Sequence, residues 1–288
     1  MENYNNITDV SELFAEIERH GKLYYEQDAP EITDFEYDAL VRRFKELGGT
    51  LPDKVGGSPS EKFASVTHAV PLDSLQDVFS ESDLLNAHGG MINSGLLTEF
   101  TVEPKVDGLS VALTYTDGVF TLGATRGNGV VGENVTENLK TIRSIPRTLS
   151  GSGVIPKTLI VRGEVFMPKS VFDELNAERE LNGEKLFANP RNAAAGALRQ
   201  LDPKITASRR LDIRVFNLQL AEFSPLNPLS EGAGREATGG SKTHAETLEY
   251  IKSLGFPTIP YKLCKLPGEC LAEIAKIGAE RDAFEFGI

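Results

Sequence analysis

Glu103-Pro104-Lys105-Val106-Asp107-Gly108 places an amine, two carboxylates and a glycine within six residues, and an alternating run, Leu109, Val111, Leu113 and Tyr115, follows directly. If extended, the stretch has a period of two, so it is expected as a strand with Glu103, Lys105 and Asp107 on one face and Val102 and Val106 on the other. That separates a chemical face from a packing face. Gly108 is expected to free the backbone for a tight bend before the strand resumes. A lysine in this setting is a nucleophile only if its ammonium sheds a proton near neutral pH, which calls for desolvation or neighbouring cations. The alternative is a solvated ion pair on an edge strand, and the motif alone leaves both open.

Downstream, Asp117-Gly118 sits between Leu113-Thr114-Tyr115 and Val119-Phe120-Thr121-Leu122, a strong hairpin signal. The second strand runs into Ala124-Thr125-Arg126-Gly127-Asn128-Gly129. That turn presents an arginine and backbone amides to an anion, or it is a plain hairpin loop, which is the commoner meaning. Leu159 to Phe166 reads as an apolar strand with Arg162, Glu164 and Phe166 facing one way, and Ser170 to about Leu181 as a helix. In Phe187 to Gln200, small residues allow close packing, and Arg191 and Arg199 project in similar directions if the whole segment is helical. Structural salt bridges are the plainer use for both. Leu211 to Leu220, with Phe216 inside it, reads as a strand, residues 223–242 as a long surface excursion, and Thr243 to Leu254 and Pro267 to about Gly278 as helices.

Upstream, Val70 to Leu75 reads as extended and Ser80 to about His88 as a helix. Gly56-Gly57-Ser58-Pro59-Ser60 reads as a linker behind a helical hairpin. Asp9 with Glu12 and Thr33 with Glu36 have capping-box spacing, and apolar stripes follow each. At the start of the second helix Asp34, Tyr37 and Asp38 share one face, near Tyr24-Tyr25. Two readings stand: carboxylates at a favourable helix N-terminus beside a core tyrosine, or a box of aromatics and acids that suits a cationic ring.

The 288 residues accommodate one large domain or a small one joined to a larger one. A net charge of -12 argues against a free-standing domain that grips nucleic acid mainly by neutralising phosphates, though not against a local basic groove. Cys264 and Cys270 are the only cysteines, too few for a four-cysteine zinc site or a disulfide framework. No leader or membrane-length stretch is visible, so a soluble cytoplasmic protein is expected. There is no P-loop and no Rossmann fingerprint, and His20, His68, His88 and His244 are scattered without metal-ligand spacing, as surface or core residues.

With these pieces in place, the chain resembles the N-terminal part of the bacterial NAD-dependent DNA ligases. The resemblance is carried by Tyr24-Tyr25 with Asp34, Tyr37 and Asp38; by Ser74-Leu75; by Glu103 with Lys105-Val106-Asp107-Gly108; and by Ala124-Thr125-Arg126-Gly127. Val161-Arg162-Gly163-Glu164-Val165, Asn189-Pro190-Arg191-Asn192-Ala193-Ala194-Ala195-Gly196 and Leu198-Arg199-Gln200-Leu201-Asp202-Pro203 complete it. It implies an α+β chain: a small N-terminal helical domain, residues 1–66, that recognises the nicotinamide mononucleotide (NMN) half of NAD, then a nucleotidyltransferase (adenylation) domain, residues 67–288. The latter would be built on antiparallel sheets, ATP-grasp-like, and truncated at its C-terminal end.

Carried over residue by residue, Lys105 looks like the nucleophile that attacks the α-phosphorus of NAD, releasing NMN and leaving lysyl-AMP. AMP would then activate the 5′-phosphate of a DNA nick for sealing by the 3′-hydroxyl. Glu103 would read the adenine amino group, Ser74 and Leu75 line the AMP site, Arg126 and Glu164 contact the ribose, and Phe216 stack on adenine. Arg191 and Arg199 match catalytic arginines and would handle phosphate. Asp107 would orient Lys105 or help place magnesium. Tyr24, Tyr25, Asp34, Tyr37 and Asp38 would hold the pyridinium. The acids beside Lys105 should raise its pKa, so nearby cations must outweigh them.

Position 25 is often histidine in relatives, Phe216 stands where tyrosine is common, and Asp73 where an apolar residue is usual. After Phe286-Gly287-Ile288 the family's Asp-Gly-x-Val-Ile-Lys block is expected to be missing, with the OB-fold, zinc, helix-hairpin-helix and BRCT domains. The implied cofactors are NAD and Mg2+, with zinc only in that absent region. The implied partner is nicked double-stranded DNA through the full-length enzyme, for a monomer without membrane contact, weak in self-adenylation alone. An ATP-dependent or RNA-directed nucleotidyltransferase is the first alternative, disfavoured by the Tyr and Asp box. A non-catalytic nucleotide-binding fragment is the second.

Overall fold

The computed structural model describes residues 7–25, 31–51, 63–73, 75, 78, 80–93, 99–151, 154–224 and 243–288. In chain order the elements are α1 (Val10–Tyr25), α2 (Asp34–Glu46), β1 (Ser65–Thr67), α3 (Glu81–Asn93), β2 (Phe100–Val102), β3 (Leu109–Thr116), β4 (Val119–Thr125), β5 (Val131–Glu133) and α4 (Thr136–Leu139). Then follow β6 (Thr158–Phe166), α5 (Lys169–Leu181), α6 (Pro190–Leu198), α7 (Pro203–Ser208), β7 (Asp212–Glu222), α8 (His244–Ser253), β8 (Lys262–Cys264) and α9 (Pro267–Ala279). The chain divides into two units, Met1–Ser74 with Arg126–Asn134, and Leu75–Thr125 with Val135–Ile288. All strand ladders are antiparallel, which makes this a mixed helix and sheet fold.

In the first unit, α1 and α2 bury Leu13, Ile17, Leu40 and Phe44 against each other, with Phe14, Tyr37 and Val41 packed at the margin. The caps form as their spacing implies. The Asp9 carboxylate accepts from the amides of Ser11 and Glu12 at 2.7 and 3.2 Å. Thr33 and Glu36 make a reciprocal box, satisfying donors that the first turn would leave unpaired. Strand β1 pairs with β5. In the turn before β5, Gly127 has φ 56°, and a Cβ there would collide with the Val131 carbonyl. Asn128 Oδ1 closes the same turn by accepting from the amides of Val130 and Val131 at 3.0 and 2.8 Å.

The second unit is organised on a four-stranded sheet of order β4-β3-β6-β7. Asp117 (φ 49°) and Gly118 (φ 78°) form the expected two-residue turn between β3 and β4. Apolar positions on β3, β6 and β7, among them Val111, Leu113, Val161, Val165, Ile213 and Val215, are fully withdrawn from water. A second cluster joins Val106, Phe166, Leu248, Ile259 and Phe286 and includes α8, which packs against β7.

Two expectations need correction. The Lys105 segment is not part of a strand: β2 stops at Val102, and among the described residues the segment between β2 and β3 makes a single isolated bridge, Asp107 with Gly287. Pro104 has no amide hydrogen to give to a ladder. The period of two survives in burial alone, with Pro104, Val106 and Gly108 buried and Lys105 exposed. Gly108 does stand at a bend, as expected, and it also permits close approach, since a Cβ there would collide with the Val165 carbonyl of β6. Helix α3 also runs past Gly89-Gly90 to Asn93. The surface excursion expected at 223–242 lies outside the described residues from 225 onward.

Candidate active site

Lys105 lies between two anchors. On one side Val106 sits in the core cluster, and on the other β2 pairs with β8, so the exposed amine is carried on a tethered segment. Among the described residues Lys105 makes no salt bridge, and its two nearest acids in sequence are engaged elsewhere. Asp107 accepts from Arg191 Nη1 at 2.8 Å, and its amide donates to the Gly287 carbonyl at 2.9 Å. Glu103 Oε1 lies 2.9 Å from His244 Nε2, the first residue of α8, and with the ring proton on that nitrogen the histidine donates to the carboxylate. The two carboxylates expected to hold the lysine as ammonium are thus turned to other partners.

Arg191 reaches Asp107 because of where α6 starts. Asn189 is extended, and its side-chain oxygen accepts from the Asn192 amide at 2.7 Å. Pro190 opens the helix, where its missing N–H costs nothing. Ala193, Ala194, Ala195 and Ala197 are buried, so small side chains let α6 lie close against its neighbours. Helix α6 ends at Leu198, with Arg199 as its C-cap. The phase argument that paired the two arginines therefore stops one residue short of Arg199, and they stand at opposite ends of the helix, roughly 12 Å apart along its axis.

On β6, Arg162 and Glu164 are half-buried and Phe166 is buried. Burial pushes the Glu164 carboxyl up to about 7, against the pull of Arg191, Lys105 and Arg162 and with a further push from Asp107. The residue keeps a window to solvent, but protein surrounds the carboxyl itself, and that withdrawal from water sets the direction. Arg162 Nε donates to Ser110 Oγ at 3.0 Å, and its guanidinium lies 5.4 Å from the centroid of the Phe216 ring. Phe216 is the extra residue of a β-bulge: Arg162 is opposite Asn217 and Gly163 opposite Val215, which leaves position 216 unpaired and re-aimed.

The second unit thus brings Glu103, Lys105, Asp107, Glu164, Arg191 and Phe216 into one neighbourhood, joined by the Asp107–Arg191 pair, the charges around Glu164 and the packing of Phe216 against the core cluster that contains Val106. Arg199, the C-cap of α6, belongs to the same unit. Leu75 is 72% exposed. Arg126 belongs to the first unit, in the Gly127 turn, where its carbonyl accepts from the Gly129 amide at 3.1 Å. Tyr37 packs at the margin of the α1/α2 core. Ser74 and the side chains of Tyr24, Tyr25, Asp34 and Asp38 lie outside the described residues. Among the described residues no three His, Cys, Asp or Glu side chains cluster as metal ligands, and no helix is long and apolar enough to cross a membrane.

Sequence reasoning missed two residues. His244 was expected to be an ordinary surface or core residue, yet it holds Glu103. Asn138, buried on α4, donates to the carbonyls of Leu198 and Gln200 at 2.6 and 2.7 Å, on either side of Arg199. The capping threonine at 243 was the one signal for His244, since it places position 244 at a helix start. A buried asparagine carried no such signal.

Residues 60–288 match the family model described as NAD-dependent DNA ligase adenylation domain, and residues 4–63 match DNA ligase-like, N-terminal NAD+-binding domain. Among similar proteins, one named DNA ligase from Acetivibrio thermocellus is 48% identical over 290 aligned positions, covering 97% of this chain and 41% of the relative. One of the same name from Thermoanaerobacter sp. is 47% identical, with 97% and 41% covered. Another from Clostridioides difficile is 42% identical, with 92% and 38% covered. The chain spans about two fifths of the length of these curated relatives.

Proposed function

Because the chain belongs to the NAD-dependent DNA ligase family and contains its adenylation domain, we propose that Lys105 is the nucleophile that takes AMP from NAD. The observation that carries this is the amine's setting: Lys105 is exposed, while Asp107 is bound to Arg191 and Glu103 is held by His244. The neutral amine attacks the α-phosphorus of NAD, the new N–P bond forms as the bond to the NMN phosphate oxygen breaks, and the amine's proton leaves to solvent. Arg191, tied to Asp107 and set by the α6 cap, supplies fixed positive charge where charge grows on the leaving phosphate. Phe216 offers a ring face to adenine, and Glu103 keeps one oxygen to accept from the adenine amino group. Glu164 contacts the ribose, as does Arg126, while Ser74 and Leu75 line the AMP site. Arg199 handles phosphate.

Residues 1–66 recognise the NMN half, through Tyr24, Tyr25, Asp34, Tyr37 and Asp38, and residues 67–288 the AMP half. The antiparallel sheet β4-β3-β6-β7 suits an ATP-grasp-like core. Magnesium is assigned to the phosphates of NAD rather than to a protein cage, since no ligand cluster exists among the described residues and Asp107 is committed to Arg191. Transfer of AMP to a nicked duplex, and sealing, belong to the proposed activity of the longer enzyme, acting as a cytoplasmic monomer.

The test is intact-protein mass spectrometry after incubation with NAD and magnesium, beside an ATP control and Lys105→Ala. A gain of one AMP with NAD only, absent in the variant, is the expected result. A gain with ATP alone, or one that survives Lys105→Ala, overturns the assignment.

A further inference from the structure

One surface lies outside this nucleotide site. Lys140, Arg143 and Arg147 line an open cleft of about 710 Å³ between the segment after α4 and helix α7, whose Pro203 and Ala207 form part of its wall. Glu137 is the only acid among the lining residues. In a chain of net charge -12 this is a local excess of positive charge. Lys140 pairs with Glu137 at 2.7 Å, but that is an exposed pair one helical turn long, weak enough for a stronger anion to displace. Arg147 donates to the Lys140 carbonyl, which stiffens the cation-bearing segment from within.

The cleft is linked to the candidate chemistry through Asn138. This residue precedes the cleft segment, is buried, and grips the carbonyls on both sides of Arg199. The backbone that presents Arg199 and the segment that presents Lys140 and Arg143 are therefore held together by two hydrogen bonds. We propose that this cleft is a docking surface for the sugar-phosphate backbone of the DNA strand that runs to Arg199, with Lys140 and Arg143 each taking a phosphate. The inference rests on the proposed phosphate-handling role of Arg199 and extends it from one phosphate to the strand that carries it.

The experiment compares the parent chain with the double variant Lys140→Ala/Arg143→Ala. Binding to a nicked duplex bearing a 3′-hydroxyl and a 5′-phosphate is followed by fluorescence anisotropy over a salt series, and lysyl-AMP formation from NAD by intact mass. Each phosphate contact contributes about 0.9 to the slope of log affinity against log salt, so the variant's slope should be shallower by about 2. Lysyl-AMP formation should be unchanged. An unchanged slope, a parent chain with no salt-dependent DNA binding, or loss of both readouts in the variant would each overturn the docking surface. A parent chain that binds the duplex but forms no lysyl-AMP would instead sink the reading of the Lys105 site, and the two failures are thereby distinguished.

Discussion

Glu164 shows most directly how a residue's surroundings, rather than its identity, set its chemistry. Its carboxyl, pushed from 4.5 up to about 7 by burial, is held protonated more readily in the fold than in the unfolded chain. The folded state therefore binds the extra proton between those values, and the stability this contributes is present below about 4.5 and lost as pH rises through about 7. Against Glu164→Gln, the parent should lose about 2 kcal/mol of relative stability from pH 5 to pH 8, the solvent window trimming the full effect. Denaturant titrations of both proteins across that range check the sign, and a parent that gains stability with pH would contradict it. Position 164 stood out as a candidate site residue through the Val-Arg-Gly-Glu-Val block, but its ionisation was not legible, because desolvation depends on what the other strands bring around it.

At the scale of the element, α6 is the clearest case of local sequence setting functional geometry. Asn189 caps the helix, Pro190 opens it, and Arg191 is thereby aimed at Asp107. Asn189→Ala should cost about 1 kcal/mol of stability and slow lysyl-AMP formation, because the arginine loses its fixed start. Chemical denaturation with single-turnover adenylation checks both, and an unchanged rate would detach the cap from the chemistry. The cap was readable from spacing. The end of the same helix was not, since nothing local says that Arg199 becomes a cap held from Asn138, 60 residues away from Leu198. The Lys105 stretch shows the converse: its alternation was correctly read in burial, but Pro104 and the close passage of Gly108 against Val165 kept it out of a strand.

For the whole molecule, the two family matches and the independent α1/α2 core imply a division of labour. Removing residues 1–63, a cut that spares β1 and its pairing with β5, should leave AMP binding by calorimetry and abolish lysyl-AMP formation from NAD. Continued reaction with NAD would refute the assignment of NMN recognition to the N-terminal segment. What the sequence alone determined is local: the α1 and α2 caps, the Asp117-Gly118 turn, the apolar strands, and the ordered motif blocks that identify the family. These signals act over a few residues, where backbone geometry and capping have no distant competitor. Only the tertiary structure decided which partner each charge meets: Asp107 with Arg191, Glu103 with His244, and Arg162 over a Phe216 turned out by a bulge. Those pairings join segments far apart in the chain, and they exist only once strand register and helix packing have brought the segments together.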